Sequence, residues 1–235
     1  MLGVLVNVVA VILGGSIGLL LKKGFPKELE RGIMCAIGLC VTYIGFSGTL
    51  QGSNTLVLIF AMVFGAAAGT LLRLEDRINA LGKWVENRFS KPEKGTVSLA
   101  EGFVTASLLF CVGAMTVVGS LNAGLTGDNS TLYTKSLLDF CSGMMLATTL
   151  GPGVILSAAF VLVLQGGIAL LAGVLAPLLS DAAIAEMTCS GSLLIFALGL
   201  NLLGITKIKV ANLLPAIVFA PCILALYNWI VSLLA

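Results

Sequence analysis

Histidine is absent from the 235 residues, and charge is scarce: 13 Lys and Arg with 11 Asp and Glu make 10% of the chain, against about 25% in an ordinary soluble domain. The first absence excludes a His-containing triad, a His-ligated metal and a His proton relay. The second excludes a soluble globular enzyme, because so few charges cannot cover the water-facing surface of a chain this long. No Walker A or H-E-x-x-H motif occurs, and with no histidine no Ser-His triad can form, so no enzymatic chemistry and no cofactor is expected. The six cysteines (Cys35, Cys40, Cys111, Cys141, Cys189, Cys222) form no Cys-x-x-Cys pair and read as packing thiols in apolar runs.

What is present is apolar: 58% hydrophobic residues and 28 glycines. Such a surface must face lipid, so the fold class is an all-α polytopic transmembrane helix bundle whose first partner is the bilayer. Nucleic acid is excluded as a partner, because the basic residues behind the net charge of +2 lie in short loops between apolar segments.

A spanning helix takes about 20 mostly apolar residues. Eight candidates follow, at about 3–21, 32–50, 55–72, 102–121, 132–150, 153–178, 187–205 and 208–234. The fifth is the weakest, since it carries Asp139 and several Ser and Thr; a full span, a short helix and a re-entrant segment are all compatible with it. Most charges fall in two stretches, six from Lys22 to Arg31 and eleven from Arg73 to Glu101. If all eight segments cross, every basic loop, including Lys207 and Lys209, lies in the cytoplasm and both termini lie outside. If the fifth does not cross, the Lys207/Lys209 loop turns outward, against that rule. Residues 73–91 have helical apolar spacing (Leu74, Ile78, Leu81, Val85, Phe89) and read as a cytoplasmic interfacial helix, or as a connector packed on the bundle. Lys91-Pro92-Glu93-Lys94-Gly95 ends it and divides one membrane domain into halves, 1–95 and 96–235.

A weak internal repeat links Leu13-Gly14-Gly15 with Gln165-Gly166-Gly167, and Cys35 through Gly45 with Cys189 through Gly199. On the eight-span topology segments 1–3 and 6–8 are then inverted copies around a central hairpin of segments 4 and 5, the architecture of many alternating-access transporters.

Polar groups inside spans are the functional candidates. Asp139 is a carboxylate deep in segment 5, with Lys135 one turn earlier on the same face and Ser136 and Ser142 three residues away on either side. It reads either as a coupling carboxylate in a solute or ion pathway, or as half of a structural Lys135–Asp139 network. Gly151-Pro152-Gly153 is either a tight turn or a break that frees carbonyls for an ion. Asn7, Gln165 and Asn201 are interhelical hydrogen-bonding groups or pathway-lining ones. Gly14-x3-Gly18 and Gly65-x3-Gly69, with Gly15, Gly166 and Gly167, offer close helix packing within a subunit or between copies in a homo-oligomer.

The strings Leu109 through Ser120, Gly124-Leu-Thr-Gly-Asp128, Lys135-Ser-Leu-Leu-Asp139 and Val210-Ala-Asn-Leu-Leu-Pro215-Ala, together with Asn7 and Gly14-Gly15, resemble the bacterial YdfK/YqgA family of membrane proteins. The resemblance covers the whole chain and implies a bacterial inner-membrane protein; it supplies no activity and no site residues. The expectation from the residues themselves is a secondary transporter or channel-like permease for a small solute or ion. The alternative is a non-transporting scaffold or regulator assembled through its glycine faces.

Overall fold

The computed structural model describes residues 1–22, 27–80, 98–112, 114–177 and 179–234. These residues form α-helices joined by short connections, with no strand among them. In chain order they are α1 (Leu2–Lys22), α2 (Lys27–Thr49), α3 (Thr55–Leu71), α4 (Leu74–Ala80), α5 (Leu99–Cys111), α6 (Ala114–Leu125), α7 (Ser130–Leu150), α8 (Gly153–Leu170), α9 (Ala172–Leu175), α10 (Asp181–Leu202) and α11 (Pro215–Leu234). A 3-10 turn, Val210–Leu213, leads into the last. The continuation of the expected interfacial helix past Ala80, and the boundary at Lys91–Gly95, lie outside the described residues.

The bundle is apolar outside and polar in places inside. Leu20, Leu50, Leu71, Val163 and Leu170 are exposed, whereas Asn7, Lys135, Asp139, Gln165 and Glu186 are buried. That inversion is stable only where the outer surface meets hydrocarbon. Among the described residues four helices are long and apolar enough to cross a membrane, and two bent helix pairs raise the number to six if each is one span.

Segment 5 is a continuous helix, the 21-residue α7. At about 1.5 Å per residue it is roughly 31 Å long, enough for the hydrocarbon core. Lys135, Asp139 and its Ser and Thr residues make it too polar to rank with the four.

Segment 4, expected as one span over 102–121, is broken instead. α5 and α6 meet at 62°. Val112 between them is extended (φ −88°, ψ 130°), and its side chain fills the space left by Gly191 of α10. Thr116 Oγ1 donates to Phe110 O at 3.1 Å, occupying a carbonyl that the break frees from the helical ladder. A second bend, of 52°, separates α3 from α4 at Arg73, whose φ of 49° turns the chain.

Glycines set the helix pairing by admitting a neighbouring backbone where a Cβ would collide. Gly14 lies against the carbonyl of Phe140 and Gly18 against that of Met144, so α1 and α7 are parallel and in close contact. Gly45 of α2 meets Phe196 of α10 and Gly199 of α10 meets Thr42 of α2, an antiparallel pair. Gly65 and Gly69 of α3 meet Ala216 and Asn212, so α3 is antiparallel to α11. Gly153 meets the Leu99 carbonyl and Gly124 that of Ala169, so α8 runs parallel to the broken α5–α6.

Candidate functional site

Close approach of α1 to α7 brings a polar cluster together inside the apolar bundle. α7 supplies Lys135 and Asp139, one turn apart on its inner face. Lys135 Nζ donates to Asp139 Oδ1 at 2.8 Å and to Oδ2 at 2.7 Å. α1 supplies Asn7, whose Nδ2 donates to Asp139 Oδ2 at 2.9 Å and to Gln165 Oε1 at 3.2 Å. Gln165 comes from α8. Lys135 and Asp139 are 6% and 5% exposed, and Asn7 and Gln165 are fully buried.

An unpaired charge at this depth costs several kcal/mol, so a carboxylate persists here only because a buried ammonium and an amide N–H face it. The pair cancels to zero net charge. Hydrogen bonding around it remains incomplete: Asn7 Oδ1 and Gln165 Nε2 have no partner among the described residues. Two polar atoms of the cluster are therefore left orphaned.

The other expected site residues fall elsewhere. Ser136 Oγ turns back to its own helix and donates to Leu132 O at 2.7 Å. Ser142 is exposed on the outer side of α7. Gly151 (φ +73°) and Gly153 form the tight α7–α8 turn. About twelve residues of helix, roughly 18 Å, separate that turn from Asp139, so its carbonyls do not reach the cluster. Asn201 closes the loop after α10, with its Nδ2 donating to Ile208 O at 2.8 Å and its Oδ1 accepting from Thr206 Oγ1 and Ile208 N. Gly14, Gly15, Gly18, Gly65 and Gly69 each have a neighbouring element in contact. At Gly166 and Gly167 no atom of the described residues lies within 4 Å of a Cβ position.

Two features escaped the sequence reading. A helix break inside an expected span lies at Val112, and the buried Cys111 beside it is on α5, which packs against α7. Glu186 of α10, one residue before the candidate span 187–205, is fully buried. Its Oε1 accepts from Ser53 N at 2.9 Å, Ser53 Oγ at 3.1 Å and Asn54 N at 2.9 Å, which ties the α2–α3 connection to α10. Its Oε2 has no partner among the described residues. The available signal was a lone Glu inside the apolar run of α10.

At the opposite end of the bundle a cleft of about 160 Å³ lies between α4, α5 and the α10–α11 connection, with Glu75, Asn79, Ser98, Glu101 and Asn201 on its walls. Among the described residues no three Cys, Asp or Glu side chains gather as metal ligands.

A family model described as "Protein of unknown function (DUF554)" matches residues 2–225. The uncharacterized membrane protein YdfK of Bacillus subtilis (strain 168) is 35% identical over 228 residues, covering 95% of this chain and 96% of that protein. The uncharacterized protein YqgA of Escherichia coli (strain K12) is 32% identical over 221 residues, covering 93% of this chain and 94% of that one. No solved structure matches.

Proposed function

The chain belongs to the DUF554 family of proteins of unknown function, and we propose that it is a multi-pass inner-membrane permease for a small solute, with the Asn7–Lys135–Asp139–Gln165 cluster as its binding site. The observation that carries this reading is the cluster itself: four polar side chains from three helices, buried in an apolar bundle, with one acceptor and one donor left open. Ionisable groups buried inside a membrane are rare, and a carboxylate there is a functional-site candidate by default. The α5–α6 break beside the cluster supports the same reading, because discontinuous helices line transporter sites and give the backbone a place to hinge.

The expected architecture has support in the pairing directions. Segments that cross eight times make α1 parallel to α7, α2 antiparallel to α10 and α3 antiparallel to α11, and the glycine contacts run in those directions. Without a crossing by α7, α2 and α10 would be parallel. The repeat aligns α2 with α10, and their antiparallel pairing is the one an inverted repeat requires. On this reading the α2–α10 pair lies at the pseudo-two-fold axis in the membrane plane, both termini lie outside the cytoplasm, and the 160 Å³ cleft opens inward.

The bidentate Lys135–Asp139 pair is also what a sealed scaffold would contain, and the two readings differ in hydration. With the other five cysteines replaced by alanine, native Cys111 becomes a probe beside the cluster. A permease samples states that wet the site, so a small charged thiol reagent labels Cys111 in intact membranes within minutes. Labelling only after unfolding overturns the permease reading in favour of the scaffold.

A further inference from the structure

From the hydrogen-bond inventory of the cluster we infer that the solute carries no net charge and presents at least one acceptor together with one donor, in the manner of a small amide or polyol. This inference rests on the permease reading and narrows it.

Asp139 accepts from Lys135 on both oxygens and from Asn7 on Oδ2, so most of its capacity is taken. A cation entering the site would have to displace Lys135, a like charge held at 2.7 Å and buried with its partner. The remaining free acceptor, Asn7 Oδ1, is a neutral amide oxygen and a poor substitute for the carboxylate. An anion fares no better. The ammonium that would attract it is already neutralised, and Asp139 and Asn7 Oδ1 both repel it. What remains open is the Gln165 Nε2 amide, with two N–H groups, and the Asn7 carbonyl. A carbonyl or hydroxyl solute that also carries a proton to donate satisfies both. A charged solute would satisfy them only by leaving one of its own charges buried and uncompensated.

Size points the same way. The four side chains of the cluster are sealed from solvent in this state, with at most 6% of any of them exposed. A small compact solute fits such a site, whereas a hydrated ion needs either more room or a ring of oxygen ligands.

The test uses the full-length protein in liposomes. Stopped-flow light scattering follows entry of urea, acetamide and glycerol, and ion-sensitive dyes follow proton, sodium, potassium and chloride. The inference expects flux of at least one neutral probe above protein-free vesicles, with all four ions at background. Gln165→Leu should lower the neutral flux about tenfold, the worth of one buried hydrogen bond. Asn7→Leu, which removes the open acceptor from a different helix, should do the same and guards against a folding defect in either variant. Ion flux, alone or with neutral flux, overturns the inference and leaves a permease standing. Neutral flux unchanged in both variants overturns the assignment to this cluster. Flux of neither class defeats the permease reading, and the inference falls with it.

Discussion

Asp139→Asn removes one half of a buried ion pair and leaves Lys135 without its counter-charge. Both side chains are only 7% exposed, and the two Nζ contacts at 2.7 and 2.8 Å are the main compensation for the ammonium. Breaking such a pair costs about 3–5 kcal/mol, mostly from the charge left behind. For a chain of this size each kcal/mol is worth about 2–4 °C, so the apparent Tm in detergent falls by roughly 6–20 °C. Lys135→Met costs a similar amount by stranding the carboxylate. The double variant Lys135→Met/Asp139→Leu strands neither, and replacing a buried pair by apolar groups is near neutral. Its Tm should therefore lie within a few degrees of wild type, far above either single variant. A double variant as unstable as the sum of the two singles would refute the coupling and with it the electrostatic account of the cluster.

Gly14→Ala drives a methyl into the Phe140 carbonyl and should destabilise by about 1–3 kcal/mol, while Gly166→Ala, with nothing within 4 Å, should be neutral or stabilising; parallel thermal melts compare them. Glu186→Ala removes the acceptor for the Ser53 and Asn54 amides, each such bond being worth about 1.5–3 kcal/mol, so hydrogen exchange at those two amides should accelerate sharply and Glu186→Gln should recover part of the protection. At the α6–α7 connection the Ser130 backbone N–H and hydroxyl hold the Asp128 carboxyl below its ordinary value. A depressed folded pKa gives stability that is present above the unfolded value, near pH 4, and lost as pH falls through the folded one. Exchange at the Ser130 amide should accordingly rise only below about pH 4, and Asp128→Asn should remove that dependence.

Local composition and periodicity made the outline of the fold legible. The lack of charge identified a membrane bundle, and i,i+4 spacing paired Lys135 with Asp139 before any tertiary contact was known. Asn7 and Gln165 were also legible as buried polar groups, but their meeting was not, because it depends on Gly14 and Gly18 drawing α1 onto α7. Ser142, although close to Asp139 in sequence, lies on the exposed side of α7, and the hydroxyl of Ser136 is satisfied by its own helix at Leu132. Spacing gives proximity along the chain, not the face that a neighbouring helix covers. The Val112 break left no proline or charge as a signal, since it is fixed by a tertiary contact with Gly191. Glu186 falls just outside the candidate span 187–205, and its partners, Ser53 and Asn54, lie more than 130 residues away.

The central claim, that the Lys135–Asp139 cluster conducts solute and does more than hold helices together, separates from stability in one protein. Lys135→Met/Asp139→Leu, shown by its melt to be folded, is reconstituted beside wild type and assayed for the same neutral-solute flux. The account predicts a stable protein whose flux falls to the level of protein-free vesicles. Flux equal to wild type would contradict it and leave the cluster a structural pin.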